Sequence, residues 1–219
     1  SYHAYGYLTN DYVLLDAGSA LGKGCGPLLV KRAGNDQLDL SNSTIAIPGK
    51  YTTANFLLSI AEPDATNKEE LLFSEIENAV LEGKVDAGLL IHENRFTYHE
   101  RGLEKIIDLG EYWEKETGAL IPLGGIIIKR SLPEKTILKV NRILRKSIEY
   151  AFRYPNAPLS YMEQNAQEMD EKVMRQHVEL YVNKYSLDLG EEGRNSITEM
   201  FNLAQQKGII PKISKNIFI

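Results

Sequence analysis

The stretch that most constrains this chain is "VDAGLLIHENR", residues 85–95. Residues 87–91 form an unbroken apolar run with no polar alternation. That is the pattern of a parallel strand covered on both faces, and such a strand requires helices on either side of its sheet. The run then ends abruptly in His92, Glu93, Asn94 and Arg95, all of them able to exchange protons or to form strong hydrogen bonds. In open parallel sheets ligands bind beyond the carboxyl ends of the strands. This strand end is therefore the first place to look for chemistry.

The surrounding segments alternate in the way an α/β fold needs. "DYVLLDAG" and "CGPLLVKR" read as short strands separated by the glycine-rich "GSALGKGCG". "STIAIPGK" is a strand ending in a Pro-Gly turn, and "TTANFLLSIAE" is a helix opened by two N-cap candidates. "FSEIENAVLEGK" places Ile76, Val80 and Leu81 on one helical face, with Gly83 as its stop. "LGGIIIKR" reads as a second strand of the buried kind. Beyond Pro133 the pattern is helical only. Ile137, Val140, Leu144, Ile148 and Ala151 mark one long amphipathic helix, and two more follow around "EKVMRQHVELYV" and "SITEMFNLAQQ".

"CGPLLVKR" leads into a central unit and "PLGGIIIKR" leads out of it. The expectation is an α/β, two-lobed type II periplasmic-binding-protein-like fold with a hinge of two crossing strands and a mainly helical C-terminal part. Residues 1–34 and 123–219 would form lobe 1, residues 35–122 lobe 2, and a ligand would bind in the cleft between them.

Composition excludes several function classes. A net charge of −5 without clustered Lys and Arg argues against a nucleic-acid partner. The single cysteine, Cys25, permits no internal disulfide, and the four histidines show no metal-ligand spacing. No apolar run reaches the length of a bilayer span, and no basic leader precedes one, so the expected location is cytoplasmic, without membrane attachment. The chain begins "SYHAYGYL" with no initiator Met, which leaves its true N-terminus open.

Four stretches offer chemistry. In "IPGKYTTAN" a strand, a tight turn and a helix start aim backbone N–H groups and the helix dipole at one point. Thr52 and Thr53 stand there, with Lys50 nearby, and the site suits a carboxylate or phosphate. Threonines that merely cap their own helix explain the same letters equally well. His92 at a strand end is a reasonable general base, although a histidine bonded to backbone is the commoner occurrence. Glu93 and Arg95 read as an ion pair orienting that loop. "GKGCG" lacks both P-loop and dinucleotide spacing and reads as a turn, with Cys25 a small buried residue. In "SYHAYGY", Ser1 is placed to bond a ligand, while His3 and the tyrosines read as packing groups.

Together, "GKGCGPLLV", "IPGKYTTA", "IHENRFTYHERGL", "DLGEYWEKETG", "PLGGIIIKR" and "AQEMDEKVMRQHVELYVNKYSLDLGEEGR" resemble, in this order, the 1,4-dihydroxy-6-naphthoate synthase family of menaquinone biosynthesis by the futalosine route. The resemblance runs from residue 1 to about residue 211 and implies the type II periplasmic-binding-protein fold. It implies a carbon–carbon lyase without metal or redox cofactor. The reaction would convert cyclic dehypoxanthine futalosine into 1,4-dihydroxy-6-naphthoate and release a three-carbon sugar fragment. It further implies His92 as the base, Thr53 and Ala54 as holders of substrate oxygens, and Ser1 as a residue facing the ligand.

Family members carry a strand–helix–strand unit ahead of the position of Ser1, including a Pro-Cys-Pro-Asn-Asp-Thr segment, which these 219 residues do not contain. Weakened activity, or a compensating homodimer or strand exchange, is the expected consequence. Two rival readings share the fold: a carboxylate-binding or sensor protein, and the chorismate dehydratase of the same pathway. The His92 motif favours the synthase over both.

Overall fold

A computed structural model describes residues 1–91, 94–165 and 171–219. The chain divides into two compact units, Lys23–Ile121 and the discontinuous pair Ser1–Gly22 with Pro122–Ile219. It is an α/β, periplasmic-binding-protein-like fold, and the chain passes between the units twice.

The Lys23–Ile121 unit is built on one five-stranded sheet. Its strands are β3 (Leu28–Arg32), β4 (Ile45–Ile47), β5 (Lys68–Glu70), β6 (Ala87–Leu90) and β7 (Leu103–Asp108), in the order β5-β4-β6-β3-β7. β4 runs parallel to both β5 and β6, with Ile45 opposite Ala87 and Ala46 opposite Gly88. β3 lies antiparallel to β6 and β7. All four residues of β6 are buried, as its unbroken apolar run requires.

Two helices of nine residues each, α2 (Thr53–Ala61) and α3 (Phe73–Leu81), cover this sheet. α3 buries Ile76, Ala79 and Val80 in a core with Val30, Ala46 and Leu90, while Leu81 packs at the margin. Each of the Ile, Val and Leu side chains contributes about 1.5–3 kcal/mol on burial. The helix can sit this low because β6 carries Gly88 beneath it. A Cβ there would stand 2.5 Å from Cγ2 of Ile76 and 2.9 Å from Cγ2 of Val80. After the short helix α4 (Asn94–Thr97) and β7, helix α5 (Leu109–Thr117) buries Trp113, whose indole N–H donates to the Leu120 carbonyl at 3.0 Å.

The other unit is mostly helical. α1 (Tyr2–Gly6) leads into β1 (Tyr12–Leu14), which pairs antiparallel with β9 (Ile127–Lys129); β2 (Ala20–Gly22) pairs with β8 (Ile121–Gly124). Then follow α6 (Glu134–Arg153), α7 (Leu159–Asn165), α8 (Glu171–Tyr181), α9 (Lys184–Leu187) and α10 (Gly190–Gln206). The long helix α6 has the expected period. Ile137, Leu144 and Ile148 are partly covered, while Val140, Ile143 and Tyr150 form an exposed stripe. Among the described residues no helix is long and apolar enough to cross a membrane.

Three expectations change. The first crossing falls after Gly22 rather than after residue 34, because β3 is gripped between β6 and β7 at the centre of the sheet. Residues 127–129 are not a parallel strand buried on both faces but a half-exposed antiparallel partner of β1. The glycine-rich "GSALGKGCG", read as a break between two strands, contains a third, β2, whereas its "GKGCG" end is a turn as expected.

Candidate functional site

Sequence reasoning placed most of its candidates in the Lys23–Ile121 unit, and the sheet topology gathers them at one edge. β4 and β6 are parallel neighbours, so the turn after Ile47 and the segment after Leu90 leave the sheet on the same side. The start of β3 and the end of β7 arrive there too, with Leu28 opposite both Leu90 and Asp108. Adjacent strands are about 4.8 Å apart, so this edge is a narrow platform. His92 and Glu93, the proposed base and its neighbour, lie outside the described residues.

The turn between β4 and α2 is the best-defined part of the platform. Thr52 is the N-cap of α2; its Oγ1 accepts from Asn55 N–H at 3.2 Å and donates to the Gly49 carbonyl at 2.7 Å. Capping is thus what the Thr52 hydroxyl does. Thr53 and Ala54 form the buried first turn, and their N–H groups precede the first intrahelical bond, from Phe56 N–H to the Thr52 carbonyl at 3.1 Å. At this helix end the dipole is positive and the first turn carries no acidic residue. Lys50 is exposed, with its ammonium 5.7 Å from the Tyr51 ring centroid, a cation–π contact.

The second helix start on this edge, that of α5, is closed to an anion. Oδ1 of its N-cap Asp108 accepts from Gly110 N–H at 2.8 Å and Glu111 N–H at 3.1 Å. Gly26 presses on the same turn, its Cα 2.7 Å from where a Cβ of Gly110 would stand. Of the two helix starts, α2 is the one suited to negative charge.

Arg95 crosses this edge. Its guanidinium pairs with Oδ2 of Asp108 at 3.2 Å and donates to the Gly26 carbonyl, and the two charged side chains are only 11 % and 6 % exposed. The expected pair of Arg95 with Glu93 lies outside the described residues; among the described residues Arg95 pairs with Asp108, thirteen positions away and on β7. Nothing in local spacing could have revealed that pair. Cys25 is buried, and burial pushes its thiol up to about 12, which suits a packing residue and not a nucleophile.

Ser1 belongs to the other unit. It caps α1, its hydroxyl accepting from His3 N–H at 3.2 Å. His3 and Tyr5 are buried as packing groups, whereas Tyr7 is exposed.

Two compact α/β units crossed twice by the chain define the class of periplasmic-binding-protein-like folds. Solved structures agree at the level of fold: the alkanesulfonate-binding protein SsuA of Xanthomonas axonopodis pv. citri superposes with a TM-score of 0.66 at 13 % identity, over 96 % of this chain and 75 % of that one. A much nearer structure is that of an Archaeoglobus fulgidus protein, with a TM-score of 0.90 and 35 % identity over 96 % of this chain and 78 % of that one. The model of the menaquinone-biosynthesis family matches residues 1–206, and the chain belongs to that family. The 1,4-dihydroxy-6-naphthoate synthase of Thermus thermophilus is 40 % identical over all 219 residues, 79 % of its own length. That of Streptomyces coelicolor is 42 % identical over 97 % of this chain and 77 % of its own.

Proposed function

We propose that this chain is a carbon–carbon lyase of menaquinone biosynthesis, acting in the cytoplasm. Its reaction converts cyclic dehypoxanthine futalosine into 1,4-dihydroxy-6-naphthoate with loss of a three-carbon fragment. The observation that carries the reading is the parallel β4–β6 pair, which brings the start of α2 and the segment leading to His92 to one sheet edge in a member of this family.

The substrate carboxylate sits at the N-terminus of α2, taking the N–H groups of Thr53 and Ala54, while Thr52 shapes that end by capping it. His92, two residues beyond the end of β6, takes the proton whose loss starts cleavage. The carbon–carbon bond then breaks, the fragment leaves, and the ring system becomes aromatic, which makes the cleavage favourable.

The test is incubation of the purified protein with cyclic dehypoxanthine futalosine and detection of 1,4-dihydroxy-6-naphthoate by mass spectrometry. His92→Ala should lower kcat by about 10²- to 10⁴-fold, the usual contribution of a general base. Full turnover by that variant would remove His92 from the role. Tight binding of the substrate without turnover, in the wild type, would favour the binding-protein reading instead.

A further inference from the structure

Helix α4 begins two residues after His92, so whatever holds α4 also holds the outgoing end of the segment that carries His92. The incoming end is fixed by β6, whose Leu90 pairs with Leu28 on β3. α4 itself has four residues, Asn94–Thr97, too few for a helix to persist by its own hydrogen bonds. Its position therefore depends on side-chain contacts, and Arg95 supplies two.

Arg95 is fastened at two points. One guanidinium nitrogen donates to the Gly26 carbonyl and another to Oδ2 of Asp108 at 3.2 Å. Neither anchor gives way easily. The Asp108 carboxylate is held by its other oxygen, which accepts from Gly110 N–H at 2.8 Å and Glu111 N–H at 3.1 Å. Gly26 lies so close to Gly110 that a Cβ on Gly26 would stand 2.3 Å from the Gly110 Cα. Next to it, Leu109 N–H donates to the Pro27 carbonyl at 3.0 Å. The fork of Arg95 thus ties α4 to the start of α5 and to the segment entering β3, two pieces of backbone already joined to each other.

An ion pair this deep is a poor way to gain stability. Both charges lose their hydration, and apolar side chains of similar size often serve as well or better. What a planar guanidinium held between a carboxylate and a carbonyl does provide is direction, because its donors are fixed in one plane. A catalytic base needs that, since a misplacement of about 1 Å can lower a rate about 10²-fold.

We propose that Arg95, seated by Asp108 and the Gly26 carbonyl, is a positioning residue for the general base His92. Asp108 is the second member of the support: it orients the guanidinium, and the guanidinium fixes the backbone three residues beyond the base. The inference rests on the reading of His92 as the base.

The test is a double-mutant cycle in the full chain, with cyclic dehypoxanthine futalosine as substrate. It compares wild type, His92→Ala, Asp108→Asn and the two combined, with Arg95→Lys beside them. Trp113 fluorescence in urea establishes that each variant is folded under the assay conditions. Asp108→Asn retains an oxygen for Gly110 and Glu111 N–H, so α5 stays capped, but it turns a donor towards Arg95. It should lower kcat about 10- to 100-fold with little change in KM. In the His92→Ala background the same substitution should do almost nothing, because no base is left to misplace. Arg95→Lys keeps the charge but loses the fork, and should lower kcat in the same way. A lowered urea midpoint with kcat at its wild-type value would show the pair to be structural and overturn the proposal. Effects of His92→Ala and Asp108→Asn that simply multiply would overturn it too, leaving the base reading in place. Full turnover by His92→Ala, or a wild type that makes no product, would remove that reading and the proposal together.

Discussion

The Arg95–Asp108 pair is where a single substitution should do most damage, and the structure says how much. Asp108→Ala removes two things at once. It takes the carboxylate from a guanidinium whose side chain is 11 % exposed, leaving it among the described residues the Gly26 carbonyl, and it uncaps α5 by deleting the acceptor of Gly110 and Glu111 N–H. Breaking one partner of a buried pair costs about 3–5 kcal/mol. Losing an N-cap costs about 0.5–2 kcal/mol more. The expected loss is about 5 kcal/mol, comparable with the whole stability of many domains. Arg95→Met is milder, about 2–3 kcal/mol, because the stranded carboxylate keeps its two backbone donors. Urea unfolding followed by fluorescence reads this directly, since Trp113 is the only tryptophan and is buried in the same unit. Asp108→Ala should unfold at much lower urea than wild type, with Arg95→Met between. A cost below about 1 kcal/mol for Asp108→Ala, or a larger cost for Arg95→Met, would refute the reasoning from buried charge and lost cap.

Other perturbations have equally definite signs. Gly88→Ala puts a methyl group within 3 Å of Ile76 and Val80, and should cost about 1–3 kcal/mol of overpacking in a urea titration. Cys25 should resist a thiol reagent at pH 8 until urea is added, because it is buried and its thiol is raised to about 12. The same shift fixes an alkaline limb. Cys25 and Tyr5 ionise at ordinary values of 9.0 and 10.0 in the unfolded chain but only at about 12 when folded, so stability should fall as pH rises from 9 towards 12. Cys25→Ala should make that fall shallower. Ile143→Lys and Tyr150→Lys on the exposed stripe of α6 should leave Tm unchanged, as surface substitutions usually do; a drop of several degrees would show that something covers the stripe in solution.

The sequence was most informative where burial imposes a period. The unbroken run of β6, the spacing of Ile76 and Val80 on α3, and the two threonines at the start of α2 are each explained by residues within one turn or one strand, and each is where the letters put it. What local reading missed depends on pairing at long range. Nothing in "LLVKR" says that β3 will lie antiparallel between β6 and β7 instead of forming a crossing strand. β5 is three polar residues, Lys-Glu-Glu, with no alternation to mark it, because an edge strand needs no apolar face to be held by its neighbour's backbone. β5 went unnoticed for that reason.

The carboxylate reading of α2 is strengthened by the contrast between the two helix starts that share one sheet edge. Each follows the carboxyl end of a strand, β4 or β7, and each has an N-cap side chain that accepts from a backbone N–H. At α5 the cap is a carboxylate, Asp108, and the dipole is already answered by a charge that Arg95 in turn neutralises. At α2 the cap is a neutral hydroxyl, and the first turn carries no acidic residue. A protein optimising only its own stability would have put an acid at both. Exchanging the two arrangements tests the point. Thr52→Asp keeps an acceptor for Asn55 N–H and adds the charge the dipole favours but loses the donor to the Gly49 carbonyl, so stability without ligand should change by no more than about 1 kcal/mol. It should also weaken binding of 1,4-dihydroxy-6-naphthoate, because the new carboxylate occupies the potential the ligand needs. Affinity lost while stability stays within that range is the signature of a site; if affinity is unchanged, the start of α2 is an ordinary cap.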